Sequence, residues 1–254
     1  MHLTRPLLRW LGLLLAATLG LQLFFVMRIV LMVVSDPQSS TFQRSEAWRL
    51  QQEKGRLRWR QQWVPYEQIA DPLKQAVIAS EDDGFVNHDG VDWDAVEKAW
   101  QKNARAETEI TRAQANKKGN ALPARGKSVR SPKVVGASTI TQQLAKNLFL
   151  SGERTLLRKG QEFVLTLLLE SLLSKQRILE IYLNNVEWGE GVFGAQAAAL
   201  HYFRKSASEL NALEAARLAV MLPRPRYFEK LPNSAYLAER AAVIVARLRA
   251  AELP

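Results

Sequence analysis

Residues 81–92 read Glu-Asp-Asp-Gly-Phe-Val-Asn-His-Asp-Gly-Val-Asp, and this stretch marks the point where a predicted helix ends. Upstream of it, between Tyr66 and Ser80, apolar residues recur at helical spacing, which places Glu81 at or near the helix end before Gly84. A carboxylate in that place can act as a general base when neighbouring acids or partial burial raise its pKa. A solvated acidic helix terminus explains the same residues, so the rest of the chain must decide between the two interpretations.

An apolar run near the start of the sequence predicts a membrane anchor. No charge occurs from Trp10 to Met27, and the apolar character resumes after Arg28 as far as Val34. As a helix, residues 10–34 would be about 37 Å long, enough to cross a hydrocarbon core of roughly 30 Å with some tilt. A cleaved signal peptide is the alternative, but its apolar region is normally only about 7–15 residues long. Arginines before the run favour a cytoplasmic segment at residues 1–9 and a body outside the cytoplasm.

Composition narrows the class of partner. The 254-residue chain carries a formal net charge of +10, which suits an anionic partner such as membrane lipid, a pyrophosphate substrate or nucleic acid. The predicted span and the lack of a zinc-finger or RNP-type motif argue against nucleic acid. The sequence contains no cysteine, which excludes disulfides, zinc-thiolate sites and a cysteine nucleophile. It also lacks the S-x-x-K, S-D-N and K-T-G set of a penicillin-binding acyl-transfer domain.

The chain after the anchor divides into three parts. Residues 35–63 form a juxtamembrane segment, predicted as a polar linker over 37–45 followed by a basic, tryptophan-bearing stretch of the kind found at lipid interfaces. Helical patterning from Asp92 stops at Asn103, and residues 103–134 are basic and interrupted by Gly and Pro, which predicts a mobile loop. From Ser138 onward the pattern is helical almost throughout, so the predicted fold is mostly α.

A second candidate segment opens the helix that follows the loop. Thr139 and Gln142 fit a capping box, and the free amides of a helix N-terminus suit phosphate oxygens. Gln142 and Lys146 then share one helix face, with Gln143 and Asn147 on the adjacent one. An ordinary cap followed by a solvated face is the alternative.

A third candidate segment lies on the next helix, predicted over residues 154–174. Arg154, Arg158 and Glu162 recur every four residues and form one stripe, with Lys159 beside it. The stripe fits either a solvated ladder of ion pairs or a cationic clamp for a pyrophosphate with a carboxylate set into it. The apolar residues downstream predict a buried helix, so the charged residues are expected to border a cleft.

Two further patterns do not indicate nucleotide or metal binding. Residues 189–194 match G-x-G-x-x-G, but the preceding residues are helical where a phosphate-binding loop needs a strand, so the glycines are interpreted as a close turn between helices. His88 and His201 are not spaced as a metal pair. For His88 a structural hydrogen bond is favoured over direct catalysis.

Taken together, the segments resemble the peptidoglycan glycosyltransferases of the penicillin-binding protein family, in particular the monofunctional, membrane-anchored kind without a transpeptidase domain. The resemblance covers about residues 64–226, and five segments occur in the family's order. They are Glu81-Asp82-x-x-Phe85-x-x-His88-x-Gly90-x-Asp92, Gly136-x-Ser138-Thr139-Ile140-Thr141-Gln142-Gln143-Leu144-x-Lys146-Asn147, Arg154-x-x-x-Arg158-Lys159-x-x-Glu162, Lys175-x-x-Ile178-Leu179-Glu180-x-Tyr182-Leu183-Asn184 with Gly189 and Gly194, and Glu214-Ala-Ala through Leu222-Pro223.

The resemblance implies a fold and a reaction. It implies an all-α, lysozyme-like domain of two lobes over residues 64–254, with the smaller lobe dipping into the outer face of the bacterial cytoplasmic membrane. The implied reaction polymerises lipid II into glycan strands, forming a β-1,4 bond with inversion and releasing undecaprenyl pyrophosphate. Lipid II, the growing strand and membrane lipid are therefore the expected partners, together with cell-wall synthesis or division proteins. The sequence itself indicates no required cofactor, although a divalent cation, Mg²⁺ or Mn²⁺, assists at the pyrophosphate in some members.

By motif position, the resemblance also implies residue roles. Glu81 resembles the base that deprotonates the acceptor sugar hydroxyl, and Glu162 resembles the second acidic residue, near the donor's pyrophosphate. The implied substrate-binding residues are Ser138, Gln143, Lys146, Asn147, Arg154, Arg158 and Lys159. Two other classes also fit part of the sequence. A lysozyme-like hydrolase would use carboxylates in a helical cleft but has less need of cations or an anchor, and a non-catalytic membrane scaffold leaves the ordered motifs unexplained.

Overall fold

A computed structural model describes residues 4–55, 57–118, 138–153 and 155–254, without the side chains of residues 4, 5 and 110–118. Within these residues the chain is mostly helical, as predicted. The α-helices are α1 (Thr4–Leu31), α2 (Thr41–Lys54), α3 (Asp71–Glu81), α4 (Trp93–Lys118), α5 (Ile140–Phe149), α6 (Leu156–Leu172), α7 (Lys175–Asn185), α8 (Ala195–Phe203), α9 (Ala212–Met221), α10 (Pro225–Phe228) and α11 (Ala235–Arg247). The strands are β1 (Arg60–Gln61), β2 (Glu187–Gly189) and β3 (Val192–Phe193).

Two helix groups share one hydrophobic core. In the first group α3 packs against α9 and α11, and in the second α5 packs against α2, α6 and α7. The helices bury mainly aliphatic side chains, and the core continues from one group to the other. Because α3 ends where α5 begins to pack, the predicted acidic segment lies at the junction of the two groups.

The first helix has the properties predicted for the anchor. Residues Pro6–Leu31 of α1 are long and apolar enough to cross a membrane, with a mean hydropathy of 2.1 over the most apolar stretch. The helix stops at Leu31, and the chain turns through residues 32–34, which the prediction had included in the span. In α1 the side chains before Gln22 are exposed, whereas Phe25 and Ile29 are buried against the rest of the chain.

The predicted polar linker over residues 37–45 is wrong at its second half, because α2 begins at Thr41. Ser40 caps this helix: its hydroxyl accepts a hydrogen bond from the Gln43 amide at 3.1 Å, and the Gln43 side chain accepts one from the Ser40 amide at 2.8 Å. The polar composition of the segment favours a linker, but Ser40 and Gln43 have the spacing of a capping box. The prediction that the tryptophans lie at a lipid interface does not fit all of them equally. Trp48 is exposed, whereas Trp63 packs on the core.

The predicted mobile loop over residues 103–134 is wrong in its first half. Helix α4 continues to Lys118, because residues 103–118 are rich in Ala, Arg, Glu, Gln and Lys and contain neither Gly nor Pro. Apolar spacing predicts only the first turns of α4, because residues 103–118 have no apolar stripe. The rest of the predicted loop, residues 119–134, lies outside the described residues.

The glycine-rich segment forms a small β structure that the sequence did not reveal. Strands β2 and β3 are antiparallel and turn at Gly191, and β1 pairs parallel to β3. Gly191 has φ of +74°, and an added Cβ there would lie 2.0 Å from the Arg58 carbonyl oxygen. The turn interpretation of the glycines is therefore confirmed, but the turn lies inside a hairpin.

Asn184 joins the second helix group to the segment that leads into α3. Its side-chain oxygen accepts a hydrogen bond from the Val64 amide at 3.0 Å, and its Nδ2 donates to the Val64 carbonyl at 2.9 Å. The residue is fully buried, so water cannot replace these bonds.

We expect Asn184→Ala to destabilise the protein, because it leaves two buried backbone groups of Val64 without partners, at roughly 1–3 kcal/mol each. The thermal unfolding midpoint in detergent should fall by roughly 2–4 °C per kcal/mol lost. Asn233→Ala, at an exposed position, is the matched control and should leave the midpoint unchanged. Equal midpoints for both variants would contradict a structural role for the Asn184 side chain.

Candidate active site

Glu81 is the last residue of α3, as the sequence predicted, and its neighbour Asp82 fixes the position of the helix end. Asp82 is buried, and its Oδ2 accepts a hydrogen bond from the Ile140 amide at the N-terminus of α5, at 2.9 Å. Its Oδ1 lies 2.8 Å from His88 Nε2. Because the Gly90 amide donates to His88 Nδ1 at 3.1 Å, the Nε2 proton is the one directed at Asp82. His88 therefore makes the structural hydrogen bond that was favoured for it.

The carboxylate of Glu81 is oriented by a chain of two hydrogen bonds. Gln143 Nε2 on α5 donates to Glu81 Oε2 at 2.9 Å. The hydroxyl of Tyr182 on α7 donates to Gln143 Oε1 at 3.0 Å, which fixes the orientation of the amide. Three helices thus converge on one oxygen of Glu81, and among the described residues the other oxygen has no hydrogen-bond partner.

Burial raises the pKa of Glu81 above its usual range, and the negative charge of Asp82 adds to the effect. The hydrogen bond from Gln143 and the positive charge of Lys146 act in the opposite direction without cancelling it. Burial, with the charges of Glu81 and Asp82, also raises the pKa of Tyr182 well above its usual value, so its hydroxyl remains a donor. The result is a carboxylate with increased basicity, the property that a general base requires.

The stripe predicted on α6 forms an ion-paired cluster. Glu162 is only 4% exposed. Arg158 donates to its Oε2 at 2.8 Å, and Lys159 pairs with its Oε1. This burial excludes the solvated-ladder interpretation for Arg158 and Glu162. Arg154, the first residue of the stripe, lies outside the described residues.

Arg158 has donor capacity that the protein does not use. Its Nε is buried and has no hydrogen-bond partner among the described residues. Its backbone is held at the start of α6 by the Thr155 hydroxyl, which accepts from the Arg158 amide at 3.1 Å. The side chain is thus held at its backbone by Thr155 and at its guanidinium by Glu162. A guanidinium held in this way, with one N–H unpaired, is suited to an anionic ligand.

Two cavities lie on either side of the contact between Glu81 and Gln143. The first has a volume of about 370 Å³, and the second about 510 Å³. Of the predicted site residues, Glu81 and Ser138 line the first cavity, and Gln143, Lys146, Asn147 and Arg158 line the second. Glu162 and Lys159 line neither cavity, but Glu162 pairs with Arg158, and Lys159 pairs with Glu162. The structure therefore brings together every predicted site residue that it describes.

Several residues around these cavities were missed in the sequence. The first cavity is also lined by Lys98, Lys102 and Arg247. At the second, Glu187 accepts two hydrogen bonds from Arg226, at 2.9 and 3.0 Å, and Arg226 also pairs with Glu46. Burial raises the pKa of Glu187 despite this partner. No spacing rule links residues 46, 187 and 226, because distant segments bring them together.

The residues present do not fit a divalent cation held by protein ligands alone. The described residues include no group of three or more His, Asp or Glu placed to bind a metal. Both oxygens of Glu162, the carboxylate nearest to the cationic residues, are already paired with Arg158 and Lys159. No chemical step is therefore assigned to a metal.

The fold and the site define a class of protein. A helix able to span a membrane is joined to a mostly helical domain, in which a basic carboxylate lies between two cavities that are both lined in part by cations. These are the parts that a membrane-bound glycosyltransferase would need.

Comparison with known proteins gives the family. The transglycosylase family model matches residues 50–113 and 120–249. The chain is 50% identical over 254 residues to the biosynthetic peptidoglycan transglycosylase of Burkholderia pseudomallei strain K96243, covering 98% of this chain and 90% of that protein. It is 48% identical over 255 residues to the protein of the same name from Herminiimonas arsenicoxydans, covering all of both chains. The chain belongs to the transglycosylase family.

We expect Gln143→Leu to raise the pKa of Glu81 further, because the substitution removes the hydrogen bond that opposes the raised value. The protonated form of Glu81 should then persist to higher pH. NMR titration of protein with ¹³C-labelled glutamate carboxyls measures the midpoint directly. Asn147→Leu, one turn further along α5, is the matched control. A Glu81 midpoint that moves equally in both variants, or in neither, would contradict the assigned hydrogen bond.

Proposed function

We propose that the chain polymerises lipid II into peptidoglycan glycan strands by inverting glycosyl transfer, with release of undecaprenyl pyrophosphate. The observation that carries the proposal is the position of Glu81, a carboxylate of raised pKa that lines one cavity and is hydrogen-bonded to Gln143, which lines a second cavity together with Lys146 and Arg158. The relatives named biosynthetic peptidoglycan transglycosylases support the same reaction.

The acceptor sugar binds in the cavity that Glu81 and Ser138 line. Glu81 removes the proton from the acceptor's 4-hydroxyl as its oxygen attacks the anomeric carbon of the donor. The bond between that carbon and the pyrophosphate oxygen breaks, and the electron pair leaves with the pyrophosphate. Since attack and departure occur on opposite faces of the sugar, this single displacement inverts the anomeric configuration. The first cavity's Lys98 and Lys102 are suited to anionic parts of the acceptor.

The leaving pyrophosphate lies against the cationic residues of the second cavity. Lys146 and Arg158 line that cavity, so both cations are placed beside a phosphate group bound there. Positive charge fixed in advance at that place offsets the negative charge that grows on the leaving group. Glu162 acts through Arg158 and Lys159, whose side chains it holds in position. Asn147 and Gln143 supply neutral hydrogen-bonding groups to the same cavity.

The membrane holds both the enzyme and its substrate. Helix α1 is the anchor, and the domain lies on the outer face of the bacterial cytoplasmic membrane, where lipid-linked donor and growing strand meet. At the start of α6, Leu156 and Leu157 are 93% and 88% exposed, next to Arg158 and Lys159. Apolar side chains beside basic ones are typical of a segment that enters the lipid interface. Cell-wall synthesis or division proteins are expected as further partners.

We expect Glu81→Gln to abolish most of the activity while preserving the fold, because the amide keeps the shape of the side chain but cannot accept a proton. Strand formation from lipid II in vesicles should fall by at least the ~10²-fold typical of a lost general base. Incubation of the same preparations with finished glycan separates polymerisation from hydrolysis. A folded variant with near-normal polymerisation would exclude Glu81 as the base, and cleavage of finished glycan would favour a hydrolase.

We expect Arg158→Lys to reduce turnover by roughly tenfold or more, equivalent to about 1.4 kcal/mol of transition-state stabilisation. Lysine keeps a charge beside buried Glu162, so the fold should survive, but its single ammonium lacks the planar fork of N–H groups with which a guanidinium can pair with Glu162 and still face a phosphate oxygen. Arg217→Lys, at a residue that lines neither cavity, is the matched control. Unfolding midpoint and turnover are measured on the same preparations. If the Arg158→Lys enzyme were as active as the control, the proposal that Arg158 binds the pyrophosphate would be wrong.

A further inference from the structure

Half of the anchor helix is part of the folded domain. Phe25, Ile29 and Met32 are 8%, 0% and 3% exposed, and they follow one another at spacings of four and three residues on one face of α1 and its final turn. Phe25 meets Phe149 of α5 edge to face, with ring centroids 5.4 Å apart. The residues of α1 before Gln22 are exposed wherever their side chains are described. The helix therefore has a free first half and a second half packed on protein.

Gln22 continues the packed face of α1 and makes its first polar contact with the domain. Its Nε2 donates to Gln161 Oε1 on α6 at 2.9 Å, and Gln161 Nε2 donates back to Gln22 Oε1 at 3.3 Å. Both side chains are half-buried, and a reciprocal amide pair between two helices specifies one register between them.

A second contact fixes the direction in which α6 runs along α1. After α6 ends, Arg177 donates to the Met32 carbonyl at 2.8 Å and pairs with Asp36 at 2.8 Å. The start of α6 is thus level with Gln22, and its far end is level with the last turn of α1. Gln22 lies nine residues before Leu31, which is about 13 Å along the helix axis. Measured along the α1 axis, the first turns of α6 therefore lie well before the end of α1 at Leu31.

Those first turns carry the cationic cluster. Gln161 is adjacent to Glu162 in the chain, and Arg158 and Lys159 lie within the preceding turn. Any shift of α6 along α1 would move the cluster relative to the membrane by the same distance. The amide pair is the contact with α1 that lies beside this cluster, so it helps to set the depth of the site.

We propose that Gln22 is a positioning residue, whose amide pair with Gln161 sets the depth of the cationic cluster in the membrane so that it meets the pyrophosphate of a lipid-linked donor. The inference rests on the proposed function for its substrate. It goes beyond that function because it gives the anchor a role in substrate capture, in addition to holding the protein at the membrane.

The test uses the full chain in lipid vesicles containing lipid II. Gln22→Leu should raise the KM for lipid II by about fivefold or more while kcat changes less than twofold. Thr18→Leu, at an exposed position one turn earlier on α1, is the matched control and should behave as the parent protein. In detergent micelles, which impose no fixed membrane plane, Gln22→Leu should regain the parent KM. An unchanged KM in vesicles, or an equal rise in micelles, would overturn the proposal.

A cross-link tests the contact without relying on activity. The chain has no cysteine, so Gln22→Cys combined with Gln161→Cys introduces the only pair. Because a direct disulfide needs Cα atoms within about 7 Å, a thiol-reactive cross-linker with a spacer matched to the two glutamine side chains is used. It should join the two helices and return the KM in vesicles toward the parent value, whereas Thr18→Cys with Gln161→Cys should cross-link much less. Efficient cross-linking of the control pair, or failure of the first pair to form, would overturn the contact. If the parent protein makes no strands but the first pair forms, the proposed function fails and the helix contact remains.

Discussion

The arrangement of the site depends on Asp82, a buried carboxylate with both oxygens engaged. One oxygen accepts from the first backbone amide of α5 and the other meets His88, so a single side chain joins the end of α3 to the start of α5. A buried carboxylate without such partners would be strongly destabilising. The same bonds that make Asp82 tolerable therefore bring Glu81 within 2.9 Å of Gln143. The two helix groups, and the two cavities between them, are positioned by this junction.

Two glutamates near the cavities have different properties because their neighbours differ. Glu81 has a neutral amide as its hydrogen-bond partner, and burial raises its pKa. Glu162 is held between Arg158 and Lys159. A carboxylate beside a neutral donor can exchange a proton, whereas one between two cations mainly orients them. In the proposed mechanism, the separation of proton transfer from charge stabilisation thus follows from which helix supplies the partners of each acid.

The sequence allowed much of this to be predicted, because the informative features are local. Helical spacing placed Glu81 at the end of its helix, a capping box placed the start of α5 beside Thr139, and a four-residue repeat paired Arg158 with Glu162. Features that depend on distant segments were not predictable in this way. The Glu187–Arg226 pair, Lys98 in the first cavity and the amide pair between α1 and α6 join residues with no shared local pattern. The outer half of α4 was missed for the opposite reason, since propensity alone forms it and no apolar stripe marks it.

The contact between α1 and the domain lets the membrane determine the orientation of the site as well as its location. A flexible tether would raise the local concentration of the lipid-linked donor but would leave the orientation of the cleft unspecified. Here Ile29 is fully buried against the domain, and Arg177 binds the carbonyl of Met32 just beyond the helix, so the bilayer orients the whole domain through α1. If the donor is held in the same membrane, as the proposed function requires, orientation by a rigid anchor reduces the entropy lost when that donor aligns with the cationic cluster.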